Sequence, residues 1–160
     1  FDFAFGPTGT QEAVYANTAK PLVEKALQGY NACCFAYGAT GAGKTFTMMG
    51  SLEHTGVIPL TLDDLFRHMR EQEEESTFKV GMQYVEIYNE KIKDLLNPSD
   101  AQLDVREDPS KGTFVAGATE KQVSTATEML SLMYEGNLFR TTEATKVNEV
   151  SSRSHAVLQA

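Results

Sequence analysis

Only two of the 160 residues are cysteine, and they are adjacent, Cys33 and Cys34, in the middle of an apolar run. That excludes a disulfide framework and a cysteine metal quartet, and it predicts buried thiols in a reducing compartment. Long hydrophobic runs are also missing. The longest stretches, such as Ala32 to Tyr37, fall far short of the ~20 apolar residues that cross a bilayer, and the N-terminus has no basic region leading into an apolar core. The chain therefore reads as soluble and not exported, with no membrane role. Positive charge is scarce: 14 Lys and Arg stand against 22 Asp and Glu, for a net charge of −8. A nucleic-acid partner, which needs a basic face for its phosphates, is set aside on that ground. The acidic run Glu71 to Glu75 reads as a solvated helix end. His54, His68 and His155 have no metal-ligand spacing around them, and no nucleophile stands beside a base of its own.

What is present is enough for a core. A chain of 160 residues with 41% hydrophobic and 22% charged residues has the size and composition of one folded domain. Helix-like and strand-like patterns alternate from end to end, with no repeat and no long linker, which is the signature of an α/β fold. "FDFAF" reads as the end of a strand, and Thr10 to Leu27 as an amphipathic helix kinked by Pro21. "YNACCFAY", bounded by glycines, suits a strand buried in the middle of a sheet. A helix follows from Lys44, then a loop from Gly50 to Gly56, then a second helix carrying Leu62, Leu65, Phe66 and Met69 at spacings of three and four. "TFKVGMQYVEIYNE" reads as a long strand entering the sheet, "DLLNPSD" as a turn, and "LDVRED" with "TFVAG" as two short strands joined by the polar loop Asp108 to Gly112. Thr125 and Glu128 form a capping box that opens a helix ending near Gly136. Asn137 to His155 is polar and aperiodic, long enough to be a functional loop, before "HAVLQA" resumes as strand. Met48, Met49, Met129 and Met133 read as core filling.

Two segments carry chemistry. Gly38 to Thr45 fits the spacing glycine, four residues, glycine, lysine, then Ser or Thr, with an apolar strand pattern before it and a helix after it. Glycines let the backbone curl so that successive N–H groups meet phosphate oxygens, and the helix start adds the positive end of its dipole. Lys44 can then reach the β and γ phosphates and the Thr45 hydroxyl can complete a Mg²⁺ shell. A glycine-rich turn with no ligand would have no use for the Lys-Thr pair. One such loop serves kinases, GTPases, helicases and motors alike, so it does not name the reaction. The second segment, Asn148 to His155, "NEVSSRSH", puts three serines, an arginine and a histidine on the long polar loop. Composition alone is compatible with a plain surface loop or with an element that closes over a γ phosphate.

Together these segments are specific. "FAYGATGAGKTFTM" and "NEVSSRSHAVL" resemble the P-loop and switch I of the kinesin motor domain, and "QYVEIYNEKIKDLL" between them is similar to that family's central strand segment. The matches fall in the family's order and the resemblance runs from Phe1 to Ala160. Myosins have a related loop and a serine-serine-arginine switch, but the Ser154-His155 continuation resembles kinesins. "LNPS", "VREDPSKG", "VAGATE" and "SSRSHAVLQ" look most like the kinesin-eight group, known for regulating microtubule length.

The resemblance implies a P-loop NTPase fold of class α/β, with a mixed central sheet, helices on both faces, and both ends incomplete. It implies ATP and Mg²⁺ as cofactors and gives Gly38, Thr40, Gly41, Ala42, Gly43, Lys44 and Thr45 to the phosphates and the metal. Phe46 would lie against adenine. Ser151 and Ser152 would approach the γ phosphate and the attacking water, with Ser152 also on the metal, Asn148 would shape the closed switch, and Arg153 would pair with a glutamate of switch II. His155 would support the switch loop. The partner implied is the microtubule, with Arg106 and Lys111 of "VREDPSKG" as candidate tubulin contacts and the cytoplasmic cytoskeleton as the place of work. The family's switch II pattern, aspartate, two residues, glycine, one residue, glutamate, occurs nowhere in the sequence, nor does its arginine-and-proline adenine clamp. Residues 1–160 are therefore expected to be part of one motor domain, from P-loop to switch I, without the basic microtubule-binding helices. The leading expectation is a microtubule motor ATPase head. The alternatives are a head fragment that binds nucleotide or tubulin without turnover, and an unrelated P-loop enzyme, for which no acceptor site is visible.

Overall fold

The computed structural model describes residues 1–74, 76–110, 112–140 and 154–160. They form two compact units, Phe1–Phe78 and Lys79–Ala160. No helix among the described residues is long and apolar enough to cross a membrane.

The first unit is built from helices. Thr10, in extended conformation, caps α1 (Gln11–Asn17) by accepting from the Ala13 N–H. The expected single helix to Leu27 is in fact two. Asn17 and Thr18 fold their side chains back onto the carbonyls of Ala13 and Val14, and α2 (Lys20–Leu27) starts afresh with Pro21 in its first turn. Proline there lacks only an N–H that the first turn leaves unpaired anyway, so the ring begins a helix instead of bending one. The short α3 (Lys44–Met49) leads by a tight loop to α4 (Val57–Glu71), which buries Val57, Leu62 and Phe66. Tyr15, Ala19 and Val57 make the small core, with Val14, Met48 and Leu60 packed on it. Beside it the Tyr15 hydroxyl donates to Asp64 Oδ2 at 2.6 Å, and Arg67 and His68 also face that carboxylate. Glu71 to Glu74 are exposed, as a solvated helix end should be; Glu75 lies outside the described residues.

The expected strands "FDFAF" and "YNACCFAY" belong to no sheet. Phe1, Phe3, Phe5, Tyr30, Phe35 and Tyr37 are exposed, and so are Cys33 and Cys34, against the expectation of buried thiols. An apolar run becomes a buried strand only when others pair with its edges and cover its faces. Among the described residues of its own unit the only β contact is the isolated Gly50–Thr55 bridge, so none of them pairs with the run as a strand.

The second unit holds the sheet. β1 (Val80–Tyr88) turns at Asn89 and Glu90, both with positive φ, into β2 (Lys91–Asp94). Two successive left-handed residues match the twist of a tight hairpin. β5 (Lys121–Val123) pairs with the first residues of β1, and β6 (Ser154–Gln159) runs along Gln83 to Tyr88. β2 and β6 both pair Val85 to Tyr88, so β1 lies between them. Every pairing among the described residues is antiparallel. β3 (Asp104–Asp108) and β4 (Gly112–Ala116) form the predicted two-stranded hairpin. The turn at Asn97 is organised by buried Asp94, which accepts from the N–H groups of Leu96, Asn97 and Thr119.

α5 (Ala126–Asn137) opens on the predicted cap: Thr125 Oγ1 accepts from the Glu128 N–H, and the Glu128 carboxylate reaches back to the Ser124 N–H. Its Met129 and Met133 are fully buried. The helix lies close on β1 because a Cβ at Gly136 would stand 2.9 Å from Tyr84 Cδ1, and the Tyr84 hydroxyl donates to Asn137 Oδ1 at 2.7 Å. The α/β class stands.

Candidate functional site

The glycine loop takes its shape from Gly41 and Gly43, with φ of +81° and +86°. That left-handed region is open to glycine at no steric cost, and a Cβ at either position would meet open space. The loop is therefore curled by its backbone and is not packed shut by side chains. Only one of its central amides is turned inward, Ala42 N–H to the Ala39 carbonyl at 3.1 Å. Among the described residues, the N–H groups of Gly41, Gly43, Lys44 and Thr45 have no backbone acceptor, and α3 begins with no side-chain cap. A group of unpaired amides on an exposed loop at a helix start is suited to an anion.

Lys44 closes the arrangement. Its ammonium donates to the carbonyls of Gly38 and Ala39 at 2.8 and 2.9 Å, spanning the loop from its last turn to its first. Thr45 and Phe46 follow on the first turns of α3, both exposed. The Phe46 carbonyl accepts from Gln11 Nε2 at 2.6 Å, which ties α3 to α1, and its ring meets His54 edge-on at a centroid distance of 6.1 Å. His54 belongs to a loop pinned at its neck. A Cβ at Gly50 would come within 2.2 Å of the His54 carbonyl, and one at Gly56 within 2.4 Å of Gly50 N.

The structure thus brings Gly38, Thr40, Gly41, Ala42, Gly43, Lys44, Thr45 and Phe46 into one continuous loop and helix start. Asn148, Ser151, Ser152 and Arg153, and with them the second half of the expected metal site, lie outside the described residues, as does Lys111. Arg106 is exposed on β3, opposite Phe114. His155 is exposed on β6, paired with Ile87. Sequence reasoning gave no individual role to three residues that the fold brings together, Glu86, Arg140 and Ser154, although Ser154 belongs to the serine-bearing segment it singled out. A glutamate in the otherwise apolar stretch "YVEIY" was the available signal. A charge at a position that the strand pattern sends inward needs a partner.

The chain was compared with known proteins. A model of the family described as the kinesin motor domain matches residues 1–160. Among the curated relatives, human kinesin-like protein KIF19 is 52% identical over 99% of this chain. Mouse KIF18A is 49% identical, and rice KIN-8A 47% identical, each over 99% of the chain. The chain spans 16%, 18% and 20% of those three relatives respectively. Among solved structures, a KIF14 dimer in a two-heads-bound state, with AMP-PNP and in complex with a microtubule, matches with a TM-score of 0.84. It is 41% identical, and the match covers 99% of this chain and 45% of that one.

Proposed function

The chain belongs to the kinesin motor domain family, and on that premise we propose that it is the nucleotide-gripping part of a microtubule motor ATPase head. The relatives KIF19, KIF18A and KIN-8A agree with the resemblance to the kinesin-eight group. The observation that carries the proposal is the open, backbone-built cradle at Gly41 and Gly43 with Lys44 held across it.

The proposed ligand is ATP, and its Mg²⁺ would be held by Thr45 and Ser152, where it neutralises charge on the β and γ phosphates. The N–H groups of Gly41, Gly43, Lys44 and Thr45 would donate to the phosphate tail as fixed dipoles that need no reorganisation. Lys44 exchanges its two carbonyl partners for phosphate oxygens, a swap of one set of hydrogen bonds for stronger, charge-assisted ones. Gly38, Thr40 and Ala42 line the same loop, and Phe46 offers a ring face to the base. Ser151 and Ser152 position the attacking water at the γ phosphate, Asn148 shapes the switch, and Arg153 pairs with a glutamate of the parent head. Hydrolysis in this class is positioning plus charge stabilisation. Loss of the terminal phosphate then releases the switch, and the head passes that change to its grip on tubulin. Arg106 and Lys111 are the proposed tubulin contacts, and the place of work is the cytoplasmic microtubule array.

The test is Lys44→Ala in the parent protein. Microtubule-stimulated ATP turnover is expected to fall below detection, and turnover at the parent rate would remove the assignment. Titrating the 160-residue chain with fluorescent ATP while assaying phosphate release distinguishes a working head from a piece that binds without turnover.

A further inference from the structure

Between α3 and α4 the chain reads "GSLEHTG", a glycine at each end and a histidine near the tip. Its ends meet. Gly50 and Thr55 form an antiparallel bridge, and the close approach at Gly50 and Gly56 leaves no room for a side chain at either. Inside the turn, both backbone groups of His54 are bonded to Ser51. The Ser51 N–H donates to the His54 carbonyl at 2.8 Å, and the His54 N–H donates to Ser51 Oγ at 3.2 Å. The same hydroxyl accepts from the Glu53 N–H at 3.3 Å. A serine that gathers successive amides shapes a turn without help from a core. The backbone of His54 is therefore placed before any ligand arrives.

Phe46 is fixed from the other side. Its carbonyl accepts from the Gly50 N–H at 2.8 Å and from Gln11 Nε2 at 2.6 Å, one donor for each lone pair. Gln11 is buried, so this bond ties the Phe46 backbone to α1 from inside the unit. What these bonds do not fix is the ring, since Phe46 is 47% exposed and its side chain can change rotamer. His54 meets that ring at a centroid distance of 6.1 Å and an interplanar angle of 74°, the edge-to-face arrangement that ring quadrupoles favour. At that angle at least one face of the Phe46 ring stays clear of the imidazole.

We propose that His54 is a positioning residue for the base of a purine nucleoside triphosphate: it holds the Phe46 ring by its edge contact, and so sets how much the base, as distinct from the phosphate tail, contributes to affinity. The proposal rests on the reading that Phe46 faces adenine. A ring already held in place loses less rotamer freedom when a base stacks on it than one that turns freely. The phosphates draw on other groups, the loop amides and the Lys44 ammonium, so loss of His54 separates the two halves of the ligand.

The experiment uses the full-length protein with His54→Ala, His54→Phe and Glu53→Ala, the last as a control in the same loop. His54 is exposed, so its truncation empties no core site. Titration calorimetry gives the affinity for ATP and for inorganic tripolyphosphate, each with Mg²⁺. In His54→Ala the affinity for ATP is expected to fall about three- to tenfold, the contribution of one aromatic pair, while that for tripolyphosphate stays within about twofold. KM for ATP in microtubule-stimulated hydrolysis rises in step, and kcat at saturating ATP stays within about twofold. His54→Phe, which keeps an aromatic edge for the ring, restores ATP affinity to within about twofold of the parent, and Glu53→Ala matches the parent. Equal loss for both ligands in His54→Ala, no loss for either, or a His54→Phe as weak as His54→Ala overturns the positioning role alone. A parent that binds tripolyphosphate as tightly as ATP overturns the reading of Phe46 as the base contact, and the proposal with it. A parent that binds neither overturns the motor reading as well.

Discussion

Replacing Tyr15 by Phe removes one oxygen from the first unit and nothing else. That oxygen donates to Asp64 Oδ2 at 2.6 Å, in a place where Tyr15 and Asp64 are each 8% exposed. A hydrogen bond to a charged group contributes about 1.5–3 kcal/mol. Asp64 keeps Arg67 and His68, so the loss belongs near the middle of that range, about 2 kcal/mol. For a chain of this size it lowers the melting temperature by about 4–8 °C. The pH dependence is more telling than the size. Burial pushes the Asp64 carboxyl up, but the Tyr15 hydroxyl, Arg67 and His68 together hold it below its ordinary 3.8. A depressed carboxyl contributes stability above 3.8 that fades as pH falls through the folded value. Burial, then Asp64, raises the Tyr15 phenol above its ordinary 10.0. A raised group contributes fully below 10.0, and its contribution fades as pH rises through the folded value. The stability gap between parent and Tyr15→Phe should therefore be flat from about pH 5 to 9 and narrow on both sides. Denaturant unfolding followed by circular dichroism at a series of pH values measures it. A gap under about 0.5 kcal/mol at pH 7, or one that widens in acid, refutes this account of the Tyr15–Asp64 pair.

Three further outcomes are expected. Met129→Ala empties a fully buried site between α5 and the sheet and should lower unfolding free energy by about 2–5 kcal/mol with an unchanged denaturant slope. Gly50→Ala combines a φ of +84° with a Cβ 2.2 Å from the His54 carbonyl. It should open the 50–56 loop, read as faster amide exchange at Ser51, whose N–H donates to that carbonyl at 2.8 Å. Arg106→Glu should weaken microtubule binding a few-fold at low salt and not at all at high salt, since an exposed charge acts through a screened field. Equal loss at both ionic strengths in a co-sedimentation assay would exclude Arg106 as an electrostatic contact.

The parts of the fold that were legible in the sequence are those fixed by short-range chemistry. Thr125 with Glu128 marked the start of α5, Leu62 with Phe66 the buried stripe of α4, and the Gly-Lys-Thr run the loop before α3. Pro21 was read with the right chemistry and the wrong outcome, because a proline bends or begins a helix according to what stands before it. Here Asn17 and Thr18 had already turned back onto the preceding carbonyls. β2 and β5, at four and three residues, are too short to show a period. Tyr30 to Tyr37 was misjudged for a different reason: its pattern states an affinity for burial, but burial depends on partners elsewhere in the chain. In the candidate site, the curl of the loop and the helix start after it were legible because they follow from glycine spacing and from contacts within a few residues. Glu86 was not, because its meaning lies in Arg140 and Ser154, far along the sequence.

Under the proposed function, the two carbonyls that hold the Lys44 ammonium would bear on the end of a catalytic cycle as much as on its beginning. A cation with somewhere to return does not have to be stripped bare when its anion departs. If that loop holds the phosphates as proposed, release would be less uphill because of the same contacts that arrival must displace, which suits repeated exchange and not permanent capture. Binding strength measured on such a loop is a difference between two well-satisfied states, and modest affinity there would reflect a site built to empty.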